Sequence, residues 1–78
     1  LILSKTLKRV KADFNSTDII SLQKEALAAI GNEDGVEPDY FELVDGDTLY
    51  PANQNTENIV ALVAAKVGNT RLIDNVII

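Results

Sequence analysis

Three polar side chains near the end of the chain, those of Arg71, Asp74 and Asn75, fall within five consecutive positions flanked by apolar runs. A base, an acid and an amide at this spacing could form a catalytic cluster, or they could be hydrogen-bonding members of a β-hairpin. On a helix Arg71 and Asp74 would share a face and pair, whereas on a strand they point to opposite faces. A strand therefore favours the hairpin interpretation, in which Asp74 or Asn75 bonds to the backbone and Arg71 reaches across the hairpin.

A second group of candidate residues is acidic and comprises Glu42, Asp45 and Asp47. These acids lack the spacing and the distal Glu of a calcium-binding loop. Turn formation explains the segment Asp45-Gly46-Asp47 better. Acid–base catalysis by paired carboxylates needs two acids in one pocket with separated pKa values, and the sequence places no such pair. We expect Tyr40 and Tyr50 to be half-buried packing residues.

Several kinds of chemistry are excluded by the residue types that the chain lacks. There is no Cys and no His, which rules out disulfides, thiolate metal sites and an imidazole base. The four glycines, at positions 31, 35, 46 and 68, form no phosphate-binding motif. We therefore predict no catalytic, cofactor-binding or metal-binding residue in this chain.

Charge is distributed unevenly along the sequence. The net charge is −5, yet four of the seven bases lie in the first eleven positions: Lys5, Lys8, Arg9 and Lys11. The acidic balance argues against nucleic-acid binding, since neutralising phosphates requires a broad basic face. We predict that the four bases form the solvated face of a helix, near the negative end of its dipole. No apolar run approaches the roughly 20 residues of a membrane span, so we expect no membrane association and a cytoplasmic protein.

Two helices are predicted in the first half of the chain. The first covers residues 2–13, where apolar residues recur at helical spacing: Leu3, Leu7, Val10 and Phe14. The second covers residues 17–30, with Ser16 or Thr17 as the capping residue and Asp18 at the positive helix start. Its apolar face is predicted to contain Ile19, Ile20, Ala26, Leu27 and Ile30.

Strand-forming residues dominate the second half. After a loop at 32–38, residues 40–44 are predicted to form a strand with Phe41 and Leu43 on one side. Residues 59–67 are apolar on both alternating faces apart from Lys66, which is typical of a central strand, although their alanines leave a helix as the alternative.

Gly68-Asn69 then predicts a tight hairpin leading into a final strand at 72–78. On that strand one face holds Leu72, Asp74, Val76 and Ile78, and the other holds Arg71, Ile73, Asn75 and Ile77. The order of elements predicts a single α+β domain over residues 1–78, with two helices packed on a three-stranded antiparallel sheet.

Four segments of the second half also resemble a known family. They are YFELVD at 40–45, DTL at 47–49 with Pro51, ALVAAKVG at 61–68 and TRLIDN at 70–75. In this order they resemble the C-terminal domain of pantothenate synthetases, the pantoate–β-alanine ligases. The resemblance covers the whole chain, but it is specific over 40–78 and looser before.

The resemblance implies an enzyme that activates pantoate with ATP as pantoyl adenylate, releases pyrophosphate, and then transfers the pantoyl group to β-alanine, with Mg²⁺ assisting. In that family an N-terminal nucleotide-binding domain carries a HIGH-type motif, and a Ser-Ser-Arg-Asn motif lies near the domain junction. This chain contains neither, so no catalytic residue is carried over. The resemblance implies a lid domain that partners the N-terminal domain of the same chain and that neither binds ATP nor makes pantothenate alone.

The sequence contains no Met and begins with Leu1, so we expect it to be a piece of a longer ligase chain. The alternative is an autonomous α+β module that binds a protein partner through a strand edge or through the basic helix. A monomer and a homodimer both remain open.

Overall fold

The computed structural model describes residues 2–15, 18–53 and 55–78. Five elements follow one another along the chain: α1 (Ile2–Asp13), α2 (Ile19–Gly31), β1 (Val36–Asp45), β2 (Ile59–Val67) and β3 (Thr70–Ile77). The strands form one antiparallel sheet in the order β1-β2-β3. Both helices contribute to a single core on one face of this sheet. The predicted α+β fold is confirmed.

Helix α1 has the predicted bounds because its apolar residues recur on one face. Leu3, Leu7 and Val10 are buried, and Phe14 is partly buried against the same core. The helix packs on α2 and also on β2 and β3. Burial of this apolar stripe stabilises a helix that is too short to persist alone in water.

Helix α2 begins two residues later than predicted. Asp18 is its N-cap, and one carboxylate oxygen, Oδ1, accepts the backbone N–H of Ser21 at 2.8 Å. The proposed caps Ser16 and Thr17 lie outside the described residues. The buried positions recur every four residues, at Leu22, Ala26 and Ile30.

Ile20 does not belong to that buried face, and its predicted position there is wrong. Its side chain is 68% exposed, because a residue six positions before Ala26 points well away from the Leu22–Ile30 stripe at 100° per residue.

Strand β1 is longer than the predicted strand at 40–44, since residues 36–38 pair with β2 instead of forming a loop. The register shifts between Pro38 and Tyr40, which leaves Asp39 as an extra bulge residue. A proline is tolerated here because β1 is an edge strand and its missing N–H costs no bond to a further strand. Phe41 and Leu43 are both buried on the helix side, as predicted.

Strand β2 is the central strand, which confirms that prediction and excludes the helix. Val67 pairs with Thr70 across the two-residue turn Gly68-Asn69. Gly68 has φ 60 and Asn69 is not among the positive-φ residues, the pattern of a II′ hairpin with Gly at its first central position.

The two faces of the sheet differ in what covers them. The helices cover the face that carries Phe41, Leu43, Ala61 and Val63. On the opposite face, which we call the open face, Ile73 and Ile77 of β3 are 63% and 71% exposed. Within the described residues, no helix combines the length and apolar character that crossing a bilayer requires.

Candidate functional site

Arg71 lies near the start of β3 on the open face and reaches across the sheet. Its Nε and Nη2 both donate to Oδ2 of Asp39, at 3.0 and 2.7 Å. Asp39 is the bulge residue of β1, on the far side of the central strand. The contact therefore joins the two outer strands over β2, which confirms that Arg71 reaches across the hairpin.

The Arg71–Asp39 ion pair is exposed to solvent. The two side chains are 54% and 52% exposed, and exposed pairs of this kind contribute about 0.2–1 kcal/mol. No local pattern indicated this partner directly, because it lies 32 positions away in the chain. The only local sign of the bulge at Asp39 was Pro38. A proline inside a strand often accompanies a bulge, and a bulge changes the direction of the neighbouring side chain.

Asp74 and Asn75 are separated from this ion pair. Oδ1 of Asp74 accepts the backbone N–H of Asn75 at 2.8 Å, in agreement with the predicted bonding to the backbone. The registers place Arg71 opposite Lys66 and Asp74 opposite Val63, so Arg71 and Asp74 point to opposite faces. The structure therefore does not bring the three polar residues of the opening motif together as one site.

Two members of the acidic group, Asp45 and Asp47, belong to a turn that follows β1. The backbone N–H of Asp47 donates to Oδ1 of Asp45 at 2.7 Å, and Nδ2 of Asn58 donates to Oδ2 of Asp47 at 3.3 Å. Glu42 lies on β1, away from the turn. The turn interpretation is confirmed. Across residues 2–15, 18–53 and 55–78 no three acidic side chains converge in a way that could hold a metal ion.

The two tyrosines behave differently from each other. Tyr40 is half-buried, as predicted. Tyr50 is 74% exposed, so the prediction of half-burial is wrong for this residue. Its carbonyl oxygen accepts the backbone N–H of Asp45 at 2.8 Å, which holds the backbone at position 50 against the end of β1 and leaves the ring in solvent.

The basic residues of α1 form a solvated face, as predicted. Lys5, Lys8, Arg9 and Lys11 are all exposed or partly exposed at the helix surface. Arg9 pairs with Asp13 one turn later at 3.9 Å, and Lys11 lies in the last turn of the helix. A shallow groove between α1 and α2 places Lys5 and Arg9 near Glu25 and Asn32.

One carboxyl group has a clearly displaced pKa. The hydrogen bond from the backbone N–H of Ser21 lowers the pKa of Asp18, and the Ser21 hydroxyl lowers it further. Both bonds favour the ionised form. They are the bonds of a helix N-cap, so the displacement reports helix capping rather than acid–base chemistry.

Taken together, these contacts define a class of protein. The molecule is a two-layer α+β domain in which the polar side chains singled out by the sequence stabilise a turn, a helix start and a sheet. Its exposed surfaces include the basic face of α1 and the open face of the sheet.

Comparison with known proteins identifies the family. The family model described as pantoate-beta-alanine ligase matches residues 1–77, and the chain belongs to this family. The pantothenate synthetase of Koribacter versatilis is 41% identical over 80 residues, covering 100% of this chain and 28% of that protein. The pantothenate synthetase of Endomicrobium trichonymphae is 41% identical over 76 residues, covering 97% of this chain and 27% of that protein. The chain thus spans little more than a quarter of the length of these relatives.

A solved structure shares the fold. The pantothenate synthetase of Thermus thermophilus superposes with a TM-score of 0.82 over 96% of this chain and 28% of that one, at 21% identity. The two helices and the three-stranded antiparallel sheet therefore recur within a considerably longer protein.

Proposed function

We propose that this chain is the C-terminal lid domain of an ATP-dependent ligase that condenses pantoate with β-alanine through a pantoyl-adenylate intermediate. The product, pantothenate, is a precursor of coenzyme A, and we place the enzyme in the cytoplasm. The observation that carries the proposal is the family match over residues 1–77, together with relatives more than three times as long.

ATP and Mg²⁺ are the cofactors expected of the longer enzyme, and the described residues fit neither. They contain no carboxylate cluster that could hold a metal, and the glycines form no phosphate-binding loop. We therefore assign nucleotide, metal, pantoate and β-alanine binding to an N-terminal nucleotide-binding domain of the same protein. No catalytic step is assigned to a residue of this chain.

A lid contributes to such a reaction by excluding water and by holding the substrates in place. Closure keeps water away from a reactive acyl adenylate and keeps the two substrates near attack geometry. A body with a single core suits this role, and here the core joins both helices to all three strands. We propose that the helical layer, with the basic residues of α1, faces the nucleotide-binding domain.

The first experiment concerns the gene. We expect the reading frame upstream of Leu1 to encode a nucleotide-binding domain with a HIGH-type motif. An unrelated domain or a stop codon there would refute the proposal and favour the alternative, an autonomous α+β module that binds a protein partner through a strand edge or through the basic helix.

The second experiment concerns activity. The 78-residue chain, incubated with ATP, pantoate and β-alanine, is expected to form no pantothenate above a control without protein. The longer protein is expected to be active, and a version lacking residues 1–78 is expected to lose pantothenate formation while retaining nucleotide binding. Turnover by the isolated chain would show that catalysis resides here after all.

A further inference from the structure

The sequence contains two Asp-Gly pairs, at 34–35 and at 45–46. In such a pair the backbone nitrogen of the glycine can attack the aspartate side chain and close a five-membered succinimide ring. Glycine permits this attack because it has no Cβ to hinder the approach and because its backbone adopts many conformations. The attacking residue is the same in both pairs, so a difference in their reactivity has to come from the fold.

The Asp45-Gly46 pair is held by hydrogen bonds on both reacting groups. The N–H of Gly46 donates to the carbonyl of Asn58 at 2.6 Å, and Oδ1 of Asp45 accepts the N–H of Asp47 at 2.7 Å. A Cβ on Gly46 would lie 3.2 Å from Cγ2 of Val60, so the backbone is also closely packed there. The nitrogen and the carboxyl group can therefore meet only after both hydrogen bonds break in a local opening of the turn.

The Asp34-Gly35 pair lacks these restraints. It forms the centre of a turn in which the N–H of Val36 donates to the carbonyl of Glu33 at 3.2 Å, and Gly35 has φ 78, the pattern of a type II turn. Among the described residues, none accepts the N–H of Gly35 and none donates to the carboxylate of Asp34. Both residues are exposed. The two reacting groups are thus free of hydrogen bonds within the described chain and have room to rotate toward each other.

We propose that Asp34 is a site of spontaneous isoaspartate formation in the folded chain, and that the fold protects Asp45 from the same reaction. The nitrogen of Gly35 attacks Cγ of Asp34 and forms an N–Cγ bond, and the carboxyl hydroxyl leaves with the N–H proton as water. A water molecule then opens the ring. Its attack at Cγ restores aspartate, whereas its attack at the backbone carbonyl carbon breaks the bond from that carbon to the nitrogen of Gly35. In the second case the main chain runs through Cγ, the former carbonyl carbon becomes a free carboxylate, and the atomic composition is unchanged.

The product changes the connection between α2 and β1, because the main chain gains one methylene just before Gly35. The carbonyl of Gly35 accepts the N–H of Gly68 at 3.2 Å, which ties this turn to the hairpin between β2 and β3. Val36 begins the ladder between β1 and β2, opposite Val67. A longer main chain at this point displaces both contacts. We expect the modification to loosen the end of the sheet that lies next to the hairpin turn.

Storage of the folded 78-residue chain near neutral pH in oxygen-labelled water tests the proposal, since ring opening inserts one labelled oxygen atom. Chymotryptic cleavage after Tyr40 and Phe41 places the two pairs in separate peptides, and electron-transfer fragmentation distinguishes isoaspartate from aspartate. We expect isoaspartate to form about tenfold to a hundredfold faster at Asp34 than at Asp45, because breaking each of the two hydrogen bonds at Asp45-Gly46 slows the reaction about threefold to tenfold.

Two controls separate the fold from the local sequence. In guanidinium chloride the protecting hydrogen bonds are lost, so the rates at the two pairs are expected to agree within about threefold. Asp34→Glu keeps the charge but requires a six-membered ring, which closes far more slowly, and it is expected to abolish isoaspartate formation in that turn. Asp45→Glu is the matched variant and is expected to leave the rate at Asp34 unchanged.

Amide chemical shifts report the structural effect. Those of Val36 and Gly68 are expected to change in the modified chain, while that of Asp47 stays constant. Equal rates at the two pairs in the folded chain, a faster rate at Asp45, or the absence of isoaspartate at Asp34 would each overturn the proposal. A rate difference that persists in guanidinium chloride would also overturn it, because the protection would then come from sequence and not from the fold.

Discussion

The turn between β2 and β3 provides a sensitive test of the fold, because its geometry depends on one backbone angle. Gly68 has φ 60, and a Cβ built on it would meet no atom within 4 Å. The effect of a side chain there is therefore set by backbone conformation and not by crowding. An L-residue with a side chain pays about 1–2 kcal/mol of conformational free energy to adopt this left-handed backbone conformation. Gly68→Ala is therefore expected to lower the free energy of unfolding by that amount. D-alanine adopts positive φ readily and restricts the unfolded chain, so it is expected to stabilise by about 0.4–1 kcal/mol.

Both variants are accessible by chemical synthesis of the 78-residue chain. Thermal unfolding by circular dichroism is expected to separate them clearly, since about 1 kcal/mol shifts the midpoint by about 4–8 °C in a domain of this size. Gly46→Ala provides a contrast, because its Cβ would approach Cγ2 of Val60 at 3.2 Å and its cost should be relieved by Val60→Ala. Equal destabilisation by both alanine enantiomers at position 68 would refute the reasoning, as would a neutral effect of L-alanine.

The core, the ion pair and the helix cap each provide a further prediction. Leu43→Ala, at a core side chain only 1% exposed, is expected to lower stability in urea titrations by about 2–5 kcal/mol, and a loss below about 1 kcal/mol would contradict its position. A double-mutant cycle between Arg71 and Asp39 is expected to give a coupling of about 0.2–1 kcal/mol that weakens in high salt, whereas an unchanged coupling in salt would argue against an exposed pair. Asp18→Asn keeps a capping side chain, so near neutral pH its thermal unfolding midpoint should match that of the original chain. The lowered pKa of Asp18 means that its ionic stabilisation is complete above the ordinary value of 3.8 and is lost as the pH falls through the lowered value, so the original chain should lose stability relative to the variant in that acid range. A constant difference across the acid range would show that Asp18 does not titrate differently on folding.

The parts of the fold that depend on local sequence pattern were predictable. The stripe of α1, the apolar run of β2 and the turn at Gly68-Asn69 each contain their own signal within a dozen residues, and the structure confirms all three. The alternation of half-buried and exposed residues along β3 also follows the predicted faces.

The parts that depend on a distant partner were not predictable. Val36 belongs to β1 because it pairs with Val67 of β2. No local pattern in the loop-like segment before Val36 indicates this pairing. Asp39 becomes the partner of Arg71 only after a bulge and two hairpins bring them together. Ile20 looks like part of an apolar face until Leu22 fixes the direction in which α2 packs. The polar residues of the candidate site therefore acquire their roles from tertiary structure.

The packing of α1 against β2 and β3 also has a consequence for synthesis on the ribosome. Helix α1 emerges before the strands of the sheet, but two of the surfaces that bury its apolar stripe belong to strands made much later. At about 5–20 residues per second, Leu3, Leu7 and Val10 stay uncovered by the sheet for several seconds. During that interval the nascent chain exposes an amphipathic segment of the type that chaperones bind, and completion of the last hairpin is the event that conceals it.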